Sequence, residues 1–181
     1  MPSKNLIILF GGRSVEHEIS VRSATNVVKY IDPTHFNLSV IGISKVGNWF
    51  LLDHPEQGIE TGKEISLSLS ATHPHFEVKA SHESTAIQIV FPVLHGTDGE
   101  DGTIQGLLQS LNVILIGSSV LGSAISMDKI VSKKLLEHAG VPVVPYMSFT
   151  KDEEISFDKI KNKLGLPFIV KAGNLGSSVG I

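Results

Sequence analysis

Four short stretches of this 181-residue sequence concentrate side chains that could do chemistry. "GGRSVEHEIS" ends an apolar run in two glycines and then sets Glu16 and Glu18 at the start of a helical pattern. Carboxylates there can hold a cationic ligand, or simply complement the positive end of the helix dipole. "HGTDGEDG" (His95 to Gly102) packs three acids, one histidine and three glycines into eight residues, again between an apolar run and a helix. Such a set can position a proton-transferring group or form a tight turn with acids capping the next helix. The acids at 98, 100 and 101 lack the alternate spacing of a calcium loop, and His95 reads equally as a functional group or as a hydrogen-bonded structural histidine. Lys129 and Lys171 are the third feature: a lysine among the apolar residues of "FIVKA" needs an anionic partner, whereas Lys129 off an apolar helix stripe is also what a solvated lysine looks like. The fourth is "GSSVG", where Gly176 and Gly180 permit positive φ and Ser177 and Ser178 add hydroxyl donors. It reads as a linker, a hairpin turn or a phosphate-binding loop, and Lys171 five residues ahead of Gly176 adds weight to the last.

The elements that must carry these groups follow from periodicity. "NLIILF" reads as a strand buried on both faces, the pattern from Glu16 to "DP" at 32 and 33 as a helix, and "NLSVIGIS" as a second strand, a β-α-β opening. Residues 45–85 read as short alternating strands of undetermined order, and "AIQIVFPVLHG" and "VILIG" as buried strands with a short helix between them. A long helix is predicted from Ser123 to about Ala139, an extended Pro-rich stretch at "VPVVPYMSF", a helix over about Glu153 to Leu164, and a new strand at "FIVKA". Alternating strands and helices specify an α/β fold with an open parallel sheet, whose ligands bind at the carboxyl ends of the strands. The boundary falls near Gly122, giving domains 1–122 and 123–181.

Composition narrows the function classes. The chain is 41% hydrophobic and 18% charged with a net charge of −3, and its basic residues are scattered, which argues against a nucleic-acid partner. It has no cysteine, which excludes disulfides, thiolate catalysis and cysteine zinc sites and suits a cytoplasmic protein. No apolar run is long enough to span a bilayer, so no membrane partner is expected.

Together "LFGGRSVEHEIS", "HGTDGEDGTIQG", "GSSVLGSAISMDKIVSKKLL" and "PFIVKAGNLGSSVGI" resemble, in order and from end to end, the D-alanine-D-alanine ligase family of the ATP-grasp superfamily. The resemblance implies a Rossmann-like (pre-ATP-grasp) N-terminal domain followed by the truncated first part of an ATP-grasp domain. It implies a reaction in which ATP phosphorylates the carboxylate of one D-alanine and the amine of a second attacks the acylphosphate, for peptidoglycan precursor synthesis. Carried onto this chain, Glu16 matches the residue that holds the first D-alanine's ammonium, Ile19 the position against its methyl group, and His95 the histidine beside its carboxylate. Lys129, Lys171, Gly176, Ser177 and Ser178 match the groups around the ATP phosphates, with Ser177 also in a hydrogen-bonded group with Glu16.

After Lys171 the family usually has Pro-Ala, whereas Ala172-Gly173 follow here. The family's magnesium or manganese ligands are expected outside these 181 residues, so the chain alone is expected to be inactive. The family further implies a homodimer through the N-terminal domain. D-lactate or D-serine as second substrate stays open at this point, as does a non-catalytic binding or dimerisation fragment.

Overall fold

The computed structural model describes residues 4–176 and 180–181. The chain divides into two compact units, Met1–Ala124 and Ile125–Ile181.

In the first unit, β1 (Lys4–Gly11) is the apolar run expected to be buried on both faces. Its alternate side chains enter two different cores. Leu6, Ile8 and Phe10 pack with Ala24, Val40 and Leu52, while Ile7 and Leu9 pack with Ile41, Phe76, Ile104 and Leu108. Ile8 and Phe10 are wholly enclosed, and each such side chain contributes about 1.5–3 kcal/mol relative to exposure. The helix α1 (His17–Lys29) lays Val21, Val27 and Val28 on the first core. On the opposite side α2 (Thr103–Ser110) places Ile104, Leu107 and Leu108 on the second. Helices on both faces make the unit doubly wound.

The described residues form one eight-stranded sheet. Beside β1 run β2 (Phe36–Ile43) and β7 (Ile89–Pro92), both parallel to it, and β8 (Ile114–Leu115) is parallel to β7. The strands β3 (Trp49–Leu52), β4 (Lys63–Ser68), β5 (His75–Val78) and β6 (Ser84–Ala86) extend the sheet beyond β2 as antiparallel neighbours. The full order is β6-β5-β4-β3-β2-β1-β7-β8. The sheet is therefore mixed: a parallel core carries an antiparallel meander, because connections of a few residues between short strands cannot make a crossover. The "VILIG" segment is a two-residue edge strand rather than a buried one, with Ile114 57% exposed.

Three expectations over the rest of the chain are corrected. The long helix from Ser123 to Ala139 is two helices, α3 (Val120–Met127) and α4 (Lys129–His138). Asp128 separates them by taking an extended conformation and accepting the N–H groups of Ile130 and Val131, both at 2.9 Å, the geometry of an N-cap. The last helix, α5 (Phe157–Leu164), starts later than Glu153 because Ser156 caps it, accepting from the Lys159 N–H at 3.3 Å, while the Glu153 carboxylate takes the Thr150 N–H. Finally, "FIVKA" forms no ladder with any described residue, and Ile169 and Val170 are about two-thirds exposed. A strand exists only through its partner, and 168–172 has none among the described residues. The 141–150 stretch is without regular structure, as its prolines dictate.

Candidate functional site

The chain crosses from β1 to β2 on one side of β1 and reaches β7 on the other. The carboxyl ends of β1 and β7 therefore flank the topological switch point, where open α/β sheets leave a crevice.

At the end of β1, Gly11 and Gly12 have φ of +87° and +92°. A Cβ on Gly11 would stand 2.4 Å from the Ile43 carbonyl oxygen, so only glycine fits. The Gly12 N–H donates to that carbonyl at 2.8 Å. The next residues turn back, Ser14 Oγ accepting the Glu16 N–H at 3.0 Å, and α1 begins at His17. The buried His17 donates from Nδ1 to the Gly12 carbonyl at 2.6 Å, so it braces the turn. Glu18 is a surface carboxylate, 2.8 Å from Lys45 Nζ, whose hydrogen bond and charge hold its pKa below the usual value. Glu16 differs. It is half-buried, and its carboxylate has no hydrogen-bond or ion-pair partner among the described residues.

At the end of β7, the Val93 N–H continues the ladder to Leu9 O at 2.7 Å, and His95 follows two residues on. His95 Nε2 lies 3.0 Å from Ser23 Oγ on α1. Gly96 is pressed against the β1 turn: a Cβ there would be 2.4 Å from Ser14 Oγ and 2.7 Å from Glu16 Oε2. The structure thus sets the Glu16 carboxylate against the residue that follows His95. Ile19, three residues along from Glu16, is 38% exposed.

The three acids that follow His95 serve the turn. The Glu100 carboxylate accepts the Gly96 N–H at 2.7 Å, and Asp101 accepts the N–H groups of Asp98 and Thr103 at 2.9 and 3.0 Å. Burial acts to raise the Asp101 pKa, but the hydrogen bonds from Asp98 and Thr103 outweigh it and hold the carboxyl below its usual value. Asp98, at φ +67°, pairs with Arg13, whose Nη2 is 2.7 Å from Oδ2. Both partners are largely exposed, so the pair contributes at most about 1 kcal/mol. A cleft of about 360 Å³ opens beside this turn, lined by Gly12, Arg13, Trp49, Leu94, His95 and Asp98 among others. His95 borders it.

In the second unit, Lys129 opens α4 and ties down the segment after Lys171. Its N–H donates to Gly173 O at 2.8 Å and its Nζ to Leu175 O at 2.5 Å. Lys129 is therefore engaged with the glycine segment that leads to Gly176, while Lys171 is exposed with no ion pair to a described residue. Ser177 and Ser178 lie outside the described residues. Among the described residues no group of three or more histidines and acids converges as a metal site.

Sequence reasoning missed the serines of α1. Ser20 is fully buried, accepting the Gly11 N–H at 2.7 Å and donating to Val93 O at 2.6 Å. One hydroxyl thereby fastens the ends of β1 and β7 together. The signal was available, since Ser20 falls four residues before Ala24 on the apolar stripe, where a polar residue needs a partner.

Comparisons with known proteins bear on both units. A family model described as "D-ala D-ala ligase N-terminus" matches residues 5–118, and one described as "D-ala D-ala ligase C-terminus" matches residues 135–181. The chain is 42% identical to a D-alanine–D-alanine ligase of Oceanobacillus iheyensis, covering 98% of this chain and 52% of that protein. It is 41% identical to D-alanine–D-alanine ligase A of Chromobacterium violaceum, covering 96% and 51%. Among solved structures, a D-alanine-D-alanine ligase from Coxiella burnetii superposes with a TM-score of 0.87 at 34% identity, covering 98% of this chain and 55% of that one. The VanG D-Ala:D-Ser ligase from Enterococcus faecalis superposes at 0.84 and 31%, covering 97% and 54%. The chain spans about half the length of the curated relatives it matches. With a family model covering most of its first unit and another reaching residue 181, the chain belongs to the D-alanine-D-alanine ligase family.

Proposed function

We propose that this chain supplies the first-substrate half and part of the nucleotide half of an ATP-dependent D-alanine-D-alanine ligase acting in peptidoglycan precursor synthesis. The observation that carries the reading is the Glu16 carboxylate: half-buried, without a cationic partner among the described residues, and packed against Gly96 beside His95. An unpaired carboxylate in that position calls for a cation, and the ammonium of D-alanine is one. Ile19 would offer an apolar surface to the methyl group, and His95 would face the carboxylate that reacts. Residues 1–122 are read as the substrate-holding N-terminal domain and 123–181 as the start of an ATP-grasp domain.

ATP fits the second unit. The glycine segment is held by Lys129, whose Nζ donates to Leu175 O, which keeps its backbone beside a cation. Lys129, Lys171 and Gly176, with Ser177 and Ser178, would hold the phosphates, where positive charge counts as phosphoryl transfer proceeds. When bound, ATP supplies the phosphoryl group that activates the D-alanine carboxylate. These 181 residues alone would bind substrate without turning it over, and ADP release from the purified chain supplied with ATP, magnesium and D-alanine would refute that.

We place the protein in the cytoplasm, as a homodimer through its first unit; no helix among the described residues is long and apolar enough to cross a membrane. The D-Ala:D-Ser ligase among the structural relatives supports a second reading, in which D-serine is the attacking substrate. The test is ADP release by the ligase containing this chain, with D-alanine alone and with D-serine added. The proposal expects release that depends on D-alanine and is lost in Glu16→Gln while ATP still binds. Equal release with L-alanine, or full activity in Glu16→Gln, would refute it.

A further inference from the structure

We propose that Ser23 fixes the tautomer of His95, making the imidazole a hydrogen-bond donor through Nδ1–H rather than a base at that nitrogen. The catalytic meaning of this rests on the D-alanine reading above; the tautomer itself does not.

Ser23 Oγ and His95 Nε2 are 3.0 Å apart, joining α1 to the end of β7 across 72 residues of sequence. Ser20 lies three residues before Ser23 and so nearly one turn away on the same helix face. Its hydroxyl donates to Val93 O, two residues before His95. The two serines thus act in sequence: Ser20 sets the backbone from which His95 projects, and Ser23 meets its ring. Among the described residues the Ser23 hydroxyl has no hydrogen bond except that to Nε2. If Nε2 carried the proton, Ser23 would accept it and its own O–H would be left without a protein acceptor. If Ser23 donates instead, both groups are satisfied, and the lone pair of Nε2 requires the proton on Nδ1.

No described residue hydrogen-bonds Nδ1, so that N–H is available to a ligand oxygen. A neutral ring with Nδ1–H donates to a carboxylate, and goes on donating as that oxygen gains charge, without needing to release its proton. Ser23 is then a positioning residue and His95 the group that touches substrate. A hydroxyl is suited to this role because it can reverse direction and accept from Nε2–H whenever the ring is protonated, so the ring keeps its orientation in both charge states.

The test reads the tautomer directly. Long-range 1H–15N correlation spectra of the 15N-histidine-labelled chain, about two pH units above the ordinary histidine value of about 6.5, distinguish Nδ1–H from Nε2–H. The wild type is expected to show Nδ1–H at His95. Ser23→Ala should move the tautomer ratio roughly tenfold towards Nε2–H, the worth of about one net hydrogen bond, and Ser23→Thr should restore the wild-type form. Amide spectra will show whether the fold is kept. A wild-type His95 protonated at Nε2, or a ratio unchanged in a folded Ser23→Ala, would overturn the proposal. Neither result needs D-alanine to bind, so failure to bind D-alanine would count against the functional reading alone.

Discussion

Replacing Ser20 by alanine removes one oxygen atom and strands two backbone groups. The hydroxyl is completely buried, accepts the Gly11 N–H at 2.7 Å and donates to Val93 O at 2.6 Å. Alanine keeps the helix and the apolar contacts, so the loss comes from an N–H and a carbonyl shut away from water without partners. At roughly 1–3 kcal/mol for each stranded group, and with the C=O penalised less because it has a second lone pair, the expected cost is about 2–4 kcal/mol. Against a typical domain stability of about 5–15 kcal/mol, that is a large fraction. Trp49, the sole tryptophan, packs against the core of the first unit, so its fluorescence in a urea titration follows that unit and not the other. The midpoint should fall with an unchanged slope, which marks a change in stability rather than in the surface exposed. Ser110, whose exposed hydroxyl donates to Gly106 O, is the control: Ser110→Ala should stay within about 0.5 kcal/mol. If Ser20→Ala also cost no more than the control, the serine would not be fastening the two strand ends, and the physical basis for the geometry around Glu16 and His95 would fail.

Other consequences are testable. Gly11→Ala should prevent recovery of folded protein, since a Cβ would stand 2.4 Å from the Ile43 carbonyl oxygen, whereas Gly140→Ala, also at positive φ but with nothing within 4 Å, should cost only about 1 kcal/mol in thermal unfolding. Asp101 binds its proton less readily when folded, so its contribution is complete above the unfolded value of about 3.9 and disappears as pH falls through the depressed folded value. Asp101→Asn should therefore flatten acid destabilisation below pH of about 4, as read by urea midpoints across pH; an unaltered acid limb would contradict the cause given for the shift. Lys171→Ala should weaken ATP binding by roughly ten- to a hundredfold, the worth of a charge-assisted hydrogen bond, with Trp49 unfolding unchanged; equal nucleotide affinity would refute the phosphate role.

What the sequence discloses depends on how local the cause is. The run "NLIILF", ended by two glycines, specifies both a doubly buried strand and the turn that presents Glu16, because the apolar pattern and the positive φ are properties of those residues themselves. His95 is legible for the same reason, standing at the end of the next buried run. The break at Asp128 was open to view as an N-cap residue type, but the apolar spacing of Met127, Val131 and Leu135 continues across it and suggests one helix. The strand at "FIVKA" could not be read locally, since apolar residues form a strand only beside another, and no described residue pairs with 168–172. The order of the short strands between 45 and 85 is likewise a matter of pairing between segments. Ser20 and Ser23 passed unnoticed because a helical serine is ordinary until its partner, 73 or 72 residues away, is seen.

Glu16 and His95 at the switch point are proposed to hold D-alanine. The most direct test is an NMR titration of the chain with D-alanine and with L-alanine, in the wild type and in Glu16→Gln. Saturable amide shifts are expected, centred on the β1 turn from Gly12 to Ser20 and on residues 94–97, larger for D-alanine, and abolished by Glu16→Gln with the rest of the spectrum preserved. Shifts centred elsewhere, or shifts that survive intact in Glu16→Gln, would contradict the proposal.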